Sequence, residues 1–545
     1  MTGISLVFVF VFACLLTVVL PSCAHVTPPR LAAVVLDFPD VLGVVVTHSP
    51  ASSHQFIGSP GLAILPNGYY LAKCDLFGPG VNDEQSGTTR VFESQDKGLT
   101  WTHLTDVSGM YWASIFPFHG AIYLLGTTCE YGQIVIMRSH DGGHTWTMPK
   151  DSTTGFLTAV TNFHCAPVPV VEHGGRLWRA FEQRNPATGW AGNFHALVLS
   201  APVDADLLRA DSWTSSVPHG RDAAWNGGDF GGWLEGNAVV APNGEMVDIL
   251  RVAVSKQPEK AAIIHLSIDG TGEAFDPKKD VVDFPGGATK FTIRFDPVTG
   301  NYWSLSNYIP AAYAGGDPGS TRNTLALVSS PDLYTWTVRS VLLTHADPAK
   351  YGFQYVDWQF AGADIVATAR TAFDDGLGGA DNFHNANFLT FHRFAGFREL
   401  RMPPPAPLPH FETQDFIIAG YGFKPAALVT GGTAFSNRSY AWTDIPAALK
   451  NWRFTQTAGG AVADITVTAK RDATLRFATA LSLPGVSTAR WSATGQTFHY
   501  NDGGKTALTV FSRRLKAGEK VTIPQGNWVG GLVLVAITPV PIGNY

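Results

Sequence analysis

The chain has 545 residues, with 38 basic against 44 acidic side chains and a formal net charge of −6, which excludes an overall basic surplus and gives no reason to expect nucleic acid as a partner, so any anion must be held locally. Only 15% of residues are charged, whereas 56 glycines, 35 prolines and an aromatic content of 12% suit many short strands joined by tight turns. This length corresponds to roughly two to four domains, or to one large β-architecture with an appendage, and the composition predicts an all-β chain.

The first segment, "MTGISLVFVFVFACLLTVVLPSCAH", carries an apolar run from Ile4 to Leu20, Pro21 as a helix breaker and Ser22-Cys23-Ala24 as a small-x-small cleavage site. It predicts a signal peptide over 1–24 and a secreted protein. An uncleaved anchor is the alternative, and a lipoprotein at Cys23 is disfavoured by the neighbouring proline. Cys74, Cys129 and Cys165 then remain, an odd number that leaves at least one thiol unpaired and rules out a disulfide framework. No metal-ligand spacing such as C-x-x-C or H-E-x-x-H is present, so neither a structural zinc nor a cofactor is expected. Asn437-Arg438-Ser439 is a glycosylation sequon, informative only in a eukaryotic source.

Two strings about 45 residues apart, "SQDKGLTW" (Ser94 to Trp101) and "SHDGGHTW" (Ser139 to Trp146), share the pattern S-x-D-x-G-x-T-W, and "SPDLYTW" (Ser330 to Trp336) is a shorter third. The pattern reads as a hairpin turn: the Asp accepts backbone N–H bonds, the glycine supplies positive φ and the tryptophan anchors the turn. That makes it scaffold. A second periodicity consists of turns followed by strands at Gly68, Gly120, Gly175, Gly244, Gly300 and Gly362, spaced 52 to 69 residues apart. Each span holds four short strands, the content of a propeller blade. The flanking segments 31–48 and 387–394 could make or close a further sheet, so a seven-bladed β-propeller is expected over 25–400, with six blades as the alternative.

Residues 401–410, "RMPPPAPLPH", form a stiff proline-rich linker. Alternating runs such as "ADITVTAKRDATLRFATAL" and "EKVTIPQGNWVGGLVLVAI" predict a separate β-sandwich over 411–545. Its only helix-like piece is "TDIPAALKNW".

Loops at one mouth of a propeller channel build its site. The strands after the turn glycines carry Cys74, Tyr123, Arg179, Arg251 and Arg370 near their ends; Arg138 precedes the second box and Arg294 ends "KFTIR". Arginines converging on one mouth would make an anion site with bidentate geometry for a carboxylate, and a carboxylated sugar is the natural ligand. For each arginine the competing reading is a solvated or salt-bridged residue, for Tyr123 a core aromatic, and for His54 a loop histidine. His164 and Cys165 are adjacent on one strand, so their side chains point opposite ways and do not form a Cys/His pair.

The two boxes resemble the Asp-box repeats of sialidase-like propellers. A longer resemblance runs from about His54 to Arg398 through "GSPGLAILPNGYYLAKCDLFGPG", "WLEGNAVVAPNG", "KFTIRFDPVTGNYWSLSN" and "GFQYVDWQFAGADIVATARTAFDD". Over this stretch the chain is similar to rhamnosyl-glucuronate lyases and the related propeller α-L-rhamnosidases. The resemblance implies a site of histidines, a tyrosine and arginines. The tyrosine falls on Tyr123, the arginines on Arg138, Arg179 and Arg294, and one histidine on His54, while Cys74 stands where another histidine is expected. A cysteine serves there only if positive charge lowers its pKa. The function implied is removal of terminal rhamnose from a glucuronate-bearing, arabinogalactan-type polysaccharide, by β-elimination ahead of hydrolysis. An exo-sialidase-like hydrolase and a non-catalytic carbohydrate-binding propeller are the alternatives. The expected partner is an acidic oligo- or polysaccharide bound by a monomer, with no nucleic acid and no stable membrane partner.

Overall fold

A computed structural model describes residues 38–185, 190–402, 410–450, 452–480, 488–526, 528 and 530–536. The predicted leader and most of the proline-rich linker lie outside them. Among the described residues the helices are all short 3-10 turns, one of which, Ala447–Leu449, is what becomes of the helix-like "TDIPAALKNW".

Residues 44–394 form six antiparallel sheets that follow one another in chain order. The first takes Phe56–Ile64, Tyr70–Phe77, Thr88–Ser94 and Thr102–Ser108 in simple up-and-down order. The sixth is built from Gly352–Ala361, Asp364–Ala372 and Phe388–Phe394 and is completed by Val44–His48 from the other end of the ring. The two flanking segments therefore pair with each other, as anticipated, but complete the sixth sheet without adding another. The observed number of sheets is the alternative, six.

A strand buried on both faces must offer apolar side chains to two neighbours, and the core is divided accordingly. One cluster joins the first and second sheets through Leu71, Val91, Ile115 and Leu124; another joins the second and third through Leu125, Ile136, Phe181 and Leu197. The series continues around to a cluster in which Val46, Val366 and Leu389 of the sixth sheet meet Ile57, Leu62 and Ala72 of the first. Each large apolar side chain so buried contributes about 1.5–3 kcal/mol. Six clusters between six consecutive sheets make a closed ring.

Polar bonds seal the same junctions near the axis. Leu62 N donates to Asp357 Oδ2 at 2.9 Å between first and sixth sheets, and Ser114 Oγ donates to Val168 O at 2.6 Å between second and third. Gly236 N donates to Glu182 Oε1 at 3.0 Å, Ile293 N to Asn237 Oδ1 at 3.1 Å, and Lys290 Nζ to Val356 O at 2.8 Å. Buried backbone groups without a sheet partner require such acceptors and donors.

The S-x-D-x-G-x-T-W strings are scaffold turns. In the second, Ser139 Oγ donates to Asp141 Oδ1 at 2.8 Å and accepts from Gly143 N at 2.9 Å; Thr145 N donates to Asp141 Oδ1 at 2.9 Å; Trp146 Nε1 donates to Gly143 O at 3.0 Å. The first box repeats these bonds, and so does the third, where Leu333 takes the glycine's place at φ 71°. "SIDGTG" (Ser267 to Gly272) folds as a truncated fourth, with Ser267 bonded to Asp269 and Thr271 N donating to Asp269 Oδ1 at 3.1 Å. It lacks the tryptophan that made the others visible.

Beyond the ring lie a four-stranded and a seven-stranded sheet. Phe416, Ile418, Ile465 and Val467 of the smaller pack with Leu475, Phe477 and Val533 of the larger, and the segment holding Leu428, Phe435, Ile445 and Leu449 covers the larger sheet's other side.

Candidate functional site

Strand direction divides the ring into two faces. Every innermost strand runs from the face carrying the long loops to the face carrying the hairpin turns and the S-x-D-x-G-x-T-W boxes, and each second strand returns. Gly68, Gly120, Gly244, Gly300 and Gly362, together with the boxes, therefore share the turn face. The other face receives the loops 78–87, 128–133, 254–259, 307–323 and 373–387.

At this loop face four innermost strands carry the same irregularity. Register slips between Gly58 and Gly61, Tyr111 and Ser114, Leu234 and Asn237, and Gln354 and Asp357. Inside the slips Ser59, Trp112, Glu235 and Tyr355 take φ of 44°, 52°, 60° and 55°. Such a bulge re-aims a side chain, and a left-handed non-glycine residue costs free energy that the surroundings must offset. Opposite the slips stand second-strand residues: Gly58 pairs with Asp75, Leu234 with Arg251 and Gln354 with Arg370, while in the third sheet Glu182 pairs with His164.

Tyr355 is the centre of one half of this mouth. Its hydroxyl donates to Glu235 Oε1 at 2.8 Å, and Arg251 Nε lies 3.0 Å from Glu235 Oε2. The guanidinium of Arg370 is 5.0 Å from the Tyr355 ring centroid and that of Arg322 is 5.6 Å away. Both of those arginines are nearly buried, yet among the described residues neither has an acidic partner. Arg322 Nη1 donates to Gln354 Oε1 at 2.7 Å and Nε to Gly319 O at 2.8 Å, while Arg370 bonds the carbonyl of His384. Burial lowers the Arg370 pKa to about 10, which leaves it charged at neutral pH. Arg370 and then burial push His384 down to about 3, so no second cation forms there. Burial, reinforced by the Glu235 charge, raises the Tyr355 phenol, and the three arginines oppose that rise. The result is a cationic pocket around a tyrosine whose proton is already directed at a carboxylate.

The other half is aromatic and acidic. His164 Nδ1 meets Glu182 Oε2 at 2.7 Å, and its ring lies 4.6 Å from Trp112 and 4.6 Å from Phe194. Tyr131 stands 5.6 Å from Trp112, with Arg184 stacked on it at 4.1 Å. Tyr111 OH donates to Asp83 Oδ2 at 3.1 Å, and Glu130 N donates to Asp83 O at 2.9 Å. Burial and then the Asp83 charge raise the Glu130 carboxyl, so it holds its proton to higher pH than an ordinary glutamate.

Of the eight residues singled out in the sequence, Arg251 and Arg370 come together, within this pocket. His54 is exposed on the loop face, where its carbonyl accepts from Gly80 N at 2.8 Å. The expected convergence of the others is corrected by their positions. Arg179 is fully buried and braces the second and third sheets, donating to Ser114 Oγ at 3.2 Å and Ala166 O at 2.7 Å. Arg138 is on an outer strand, 3.6 Å from Asp206. Arg294 lies toward the turn face, bonded to Trp358 O and 3.4 Å from Asp357. It lines a largely apolar cavity of about 870 Å³ there, with Tyr302, Phe295 and Phe360. Tyr123 is a core aromatic stacked on Phe116 at 5.5 Å. Cys74 is in the core between the first and sixth sheets, where burial, with Asp75 adding, pushes its thiol up to about 12. The cationic environment that proton exchange at Cys74 demands is therefore not what the thiol meets. Cys165 contacts Trp112 O while His164 turns to Glu182, the opposed orientation expected, and all three cysteines are free.

Sequence reasoning missed Tyr355, Glu235 and Arg322. The first two lie within "GFQYVDW" and "WLEGN", each two residues before the small polar residue that bonds across to the neighbouring sheet, a spacing repeated in Trp112 and Ser114. Arg322 comes from an irregular loop with no periodic signal.

No model of a known protein family matches the chain, and no curated protein matches it. Among solved structures it is similar to an α-L-arabinanase of Penicillium chrysogenum complexed with arabinobiose, at 14% identity over 66% of this chain and 99% of that one, with a TM-score of 0.41. A Hadza microbial sialidase gives 15% identity over 65% and 68%, with a TM-score of 0.42. A polysaccharide lyase described as an ulvan lyase gives 11% over 64% and 83%, with a TM-score of 0.37. At these identities and scores the likeness assigns neither substrate nor residues to this chain.

Proposed function

We propose that this protein is a secreted carbohydrate-active enzyme that takes a sugar bearing a carboxylate at the end of a chain and cleaves its glycosidic bond with Tyr355. One observation carries the reading: a tyrosine hydroxyl bonded at 2.8 Å to a buried glutamate, beside two arginines that have no acidic partner among the described residues. Arg322 and Arg370 bind the substrate carboxylate, and Arg251 holds Glu235 in place. Guanidinium is suited to this because its fork matches a carboxylate and stays charged. A neutral phenol is a fitting nucleophile in such a pocket, since an anionic one would repel the ligand; tyrosine plays this part in sialidases.

In the first step the phenol oxygen bonds to the anomeric carbon while its proton passes to Glu235. The glycosidic C–O bond breaks and the leaving oxygen takes the proton of Glu130. Water then attacks the same carbon, giving one proton back to Glu130; the Tyr355–carbon bond breaks and the phenoxide recovers its proton from Glu235. The net change is addition of one water across the bond.

A second reading keeps the pocket and changes the step. The stretch resembling rhamnosyl-glucuronate lyases favours elimination of rhamnose from O4 of glucuronate: Tyr355, its own proton passed to Glu235, takes the C5 proton; Arg322 and Arg370 stabilise the charge that spreads onto the carboxylate; the C4–O4 bond then breaks as the C4=C5 double bond forms, and the departing rhamnose oxygen takes the proton from Tyr355. That reading moves its chemistry from His54, Cys74 and Tyr123 to Tyr355.

Incubation with gum arabic and with sialyllactose separates these. Released acidic sugar, or rhamnose with an intact uronate, supports hydrolysis. Ultraviolet absorbance of an unsaturated uronate supports elimination. Polymer bound but never cut supports the carbohydrate-binding alternative and ends the enzyme reading.

A further inference from the structure

The proposed cleavage uses the cationic half of the mouth and, from the other half, only Glu130; the aromatic side chains there are left without a role. We infer that this half, with Trp190 as its outer wall, is a subsite for a neutral pyranose ring joined to the acidic sugar; the inference rests on the reading of the cationic half and names what stands next to it in the substrate.

Three observations converge. Trp190 is 57% exposed, a large apolar area for one residue, and stands perpendicular to Phe194 at 6.1 Å, so an indole face is open at the end of the row formed by Trp112, Tyr131, His164 and Phe194. The same ring lies 5.6 Å from the guanidinium of Arg251, the arginine that holds Glu235. The aromatic row therefore begins where the cationic pocket ends. Buried donor capacity also remains on both sides of it: Arg251 Nη1 and Arg184 Nε have no hydrogen-bond partner among the described residues. A pyranose fits such a surface, since its axial C–H face packs on an aromatic ring while its rim of hydroxyls supplies acceptors to guanidinium N–H groups.

The charge of the neighbourhood selects a neutral ring. Glu130 and Asp83 lie on this side, where Glu130 N donates to Asp83 O at 2.9 Å; burial and then the Asp83 charge raise the Glu130 carboxyl, and burial and then Glu130 raise the Tyr131 phenol against the opposing Arg184. A second carboxylate would meet the Asp83 carboxylate there, whose Oδ2 accepts from Tyr111 OH at 3.1 Å. The mouth is thus polarised, with an acidic residue read on the Arg322 and Arg370 side and an uncharged one on the Trp190 side.

The test uses the full chain and two ligands, glucuronate and a disaccharide of glucuronate linked to galactose, with binding followed by calorimetry. For the native protein the disaccharide should bind about tenfold more tightly, and Trp190→Ala should erase that advantage while leaving glucuronate affinity unchanged. Trp190→Phe should restore part of it. Equal weakening of both ligands by Trp190→Ala, or no change in either, overturns the subsite. If glucuronate does not bind the native protein at all, the reading of the cationic half fails. Lactose then decides the subsite separately: quenching of tryptophan fluorescence that disappears in Trp190→Ala upholds it, and no quenching ends it. A disaccharide of two glucuronates that binds as well as the mixed one overturns the neutral preference.

Discussion

The two faces of the ring are built from the same strands and obey different rules. On the turn face, Ser139, Asp141, Gly143, Thr145 and Trp146 satisfy one another within eight residues, and the pattern recurs in other sheets. On the loop face, Tyr355 depends on Glu235, 120 positions away in sequence, and Arg322 and Arg370 reach it from different strands and loops. The first arrangement is local, closed and repeated. The second is long-range, open to a ligand and made once. Local repetition marks what holds a fold up, and long-range convergence upon a repeated bulge is where chemistry can be placed.

Substitutions can set the faces against each other. The largest effect is expected from Tyr355→Phe, which removes the attacking oxygen and should lower kcat about 10³-fold while KM and the melting temperature stay near native values; an active variant would displace Tyr355 from the chemistry. Arg370→Ala should weaken binding of the acidic sugar by about 1.5–3 kcal/mol, the worth of a hydrogen bond to a charged group, measured by calorimetry with Arg322→Ala alongside.

Acidity divides the faces as well. Because the Glu130 carboxyl is raised above its ordinary 4.5, the protonated acid is lost as pH rises through that raised value, so kcat should fall on the alkaline side while the protein remains folded. Asp141 moves the other way: hydrogen bonds from the Thr145 side chain and backbone hold it well below its ordinary 3.8. Its stabilisation is complete above 3.8 and is lost only as pH falls through the depressed value, so melting curves should be flat across the range in which activity changes.

A smaller effect belongs to Ser139→Ala, which leaves Gly143 N without its acceptor and should cost about 1–2 kcal/mol of stability, read by denaturant titration, with unchanged turnover per folded molecule. Smallest of all, Tyr123→Phe and Cys74→Ala should alter turnover by less than about twofold, since both side chains face the core and not the ligand. A large loss of kcat in either, with native stability, would reopen the arrangement placed on those residues from resemblance.

What could be read in advance follows the same division. The boxes and the glycine turns announced themselves because a tight turn needs particular residues at particular offsets, and so the all-β ring and the spacing of its sheets were legible. "SIDGTG" was passed over because its turn is anchored without tryptophan. The pairing of Val44–His48 with Phe388–Phe394 was anticipated, but no local signal records that it completes the sixth sheet without adding another. In the site, Arg251 and Arg370 were legible as charges near strand ends, but nothing distinguished them from Arg138 or Arg294. Orientation depends on which way a strand runs and on bulges at Glu235 and Tyr355, where no glycine advertises the positive φ. Burial of Cys74 was equally hidden: a thiol beside Lys73 and Asp75 reads as a polar neighbourhood until alternation sends it to the opposite side.

The strand Val44–His48, set against Phe388–Phe394, has a consequence for how the molecule comes into being. Synthesis must proceed through some 340 residues before the last gap in the circle can be zipped shut, and until then two sheet edges stay unsatisfied and open to wrong partners. The pocket, which draws Tyr355 and Arg370 from that final sheet and Glu235 from the fourth, can be assembled only once the closing sheet has formed. A ribosome-bound chain that stops short of the sixth sheet would carry the box turns of the described residues and lack both Tyr355 and Arg370.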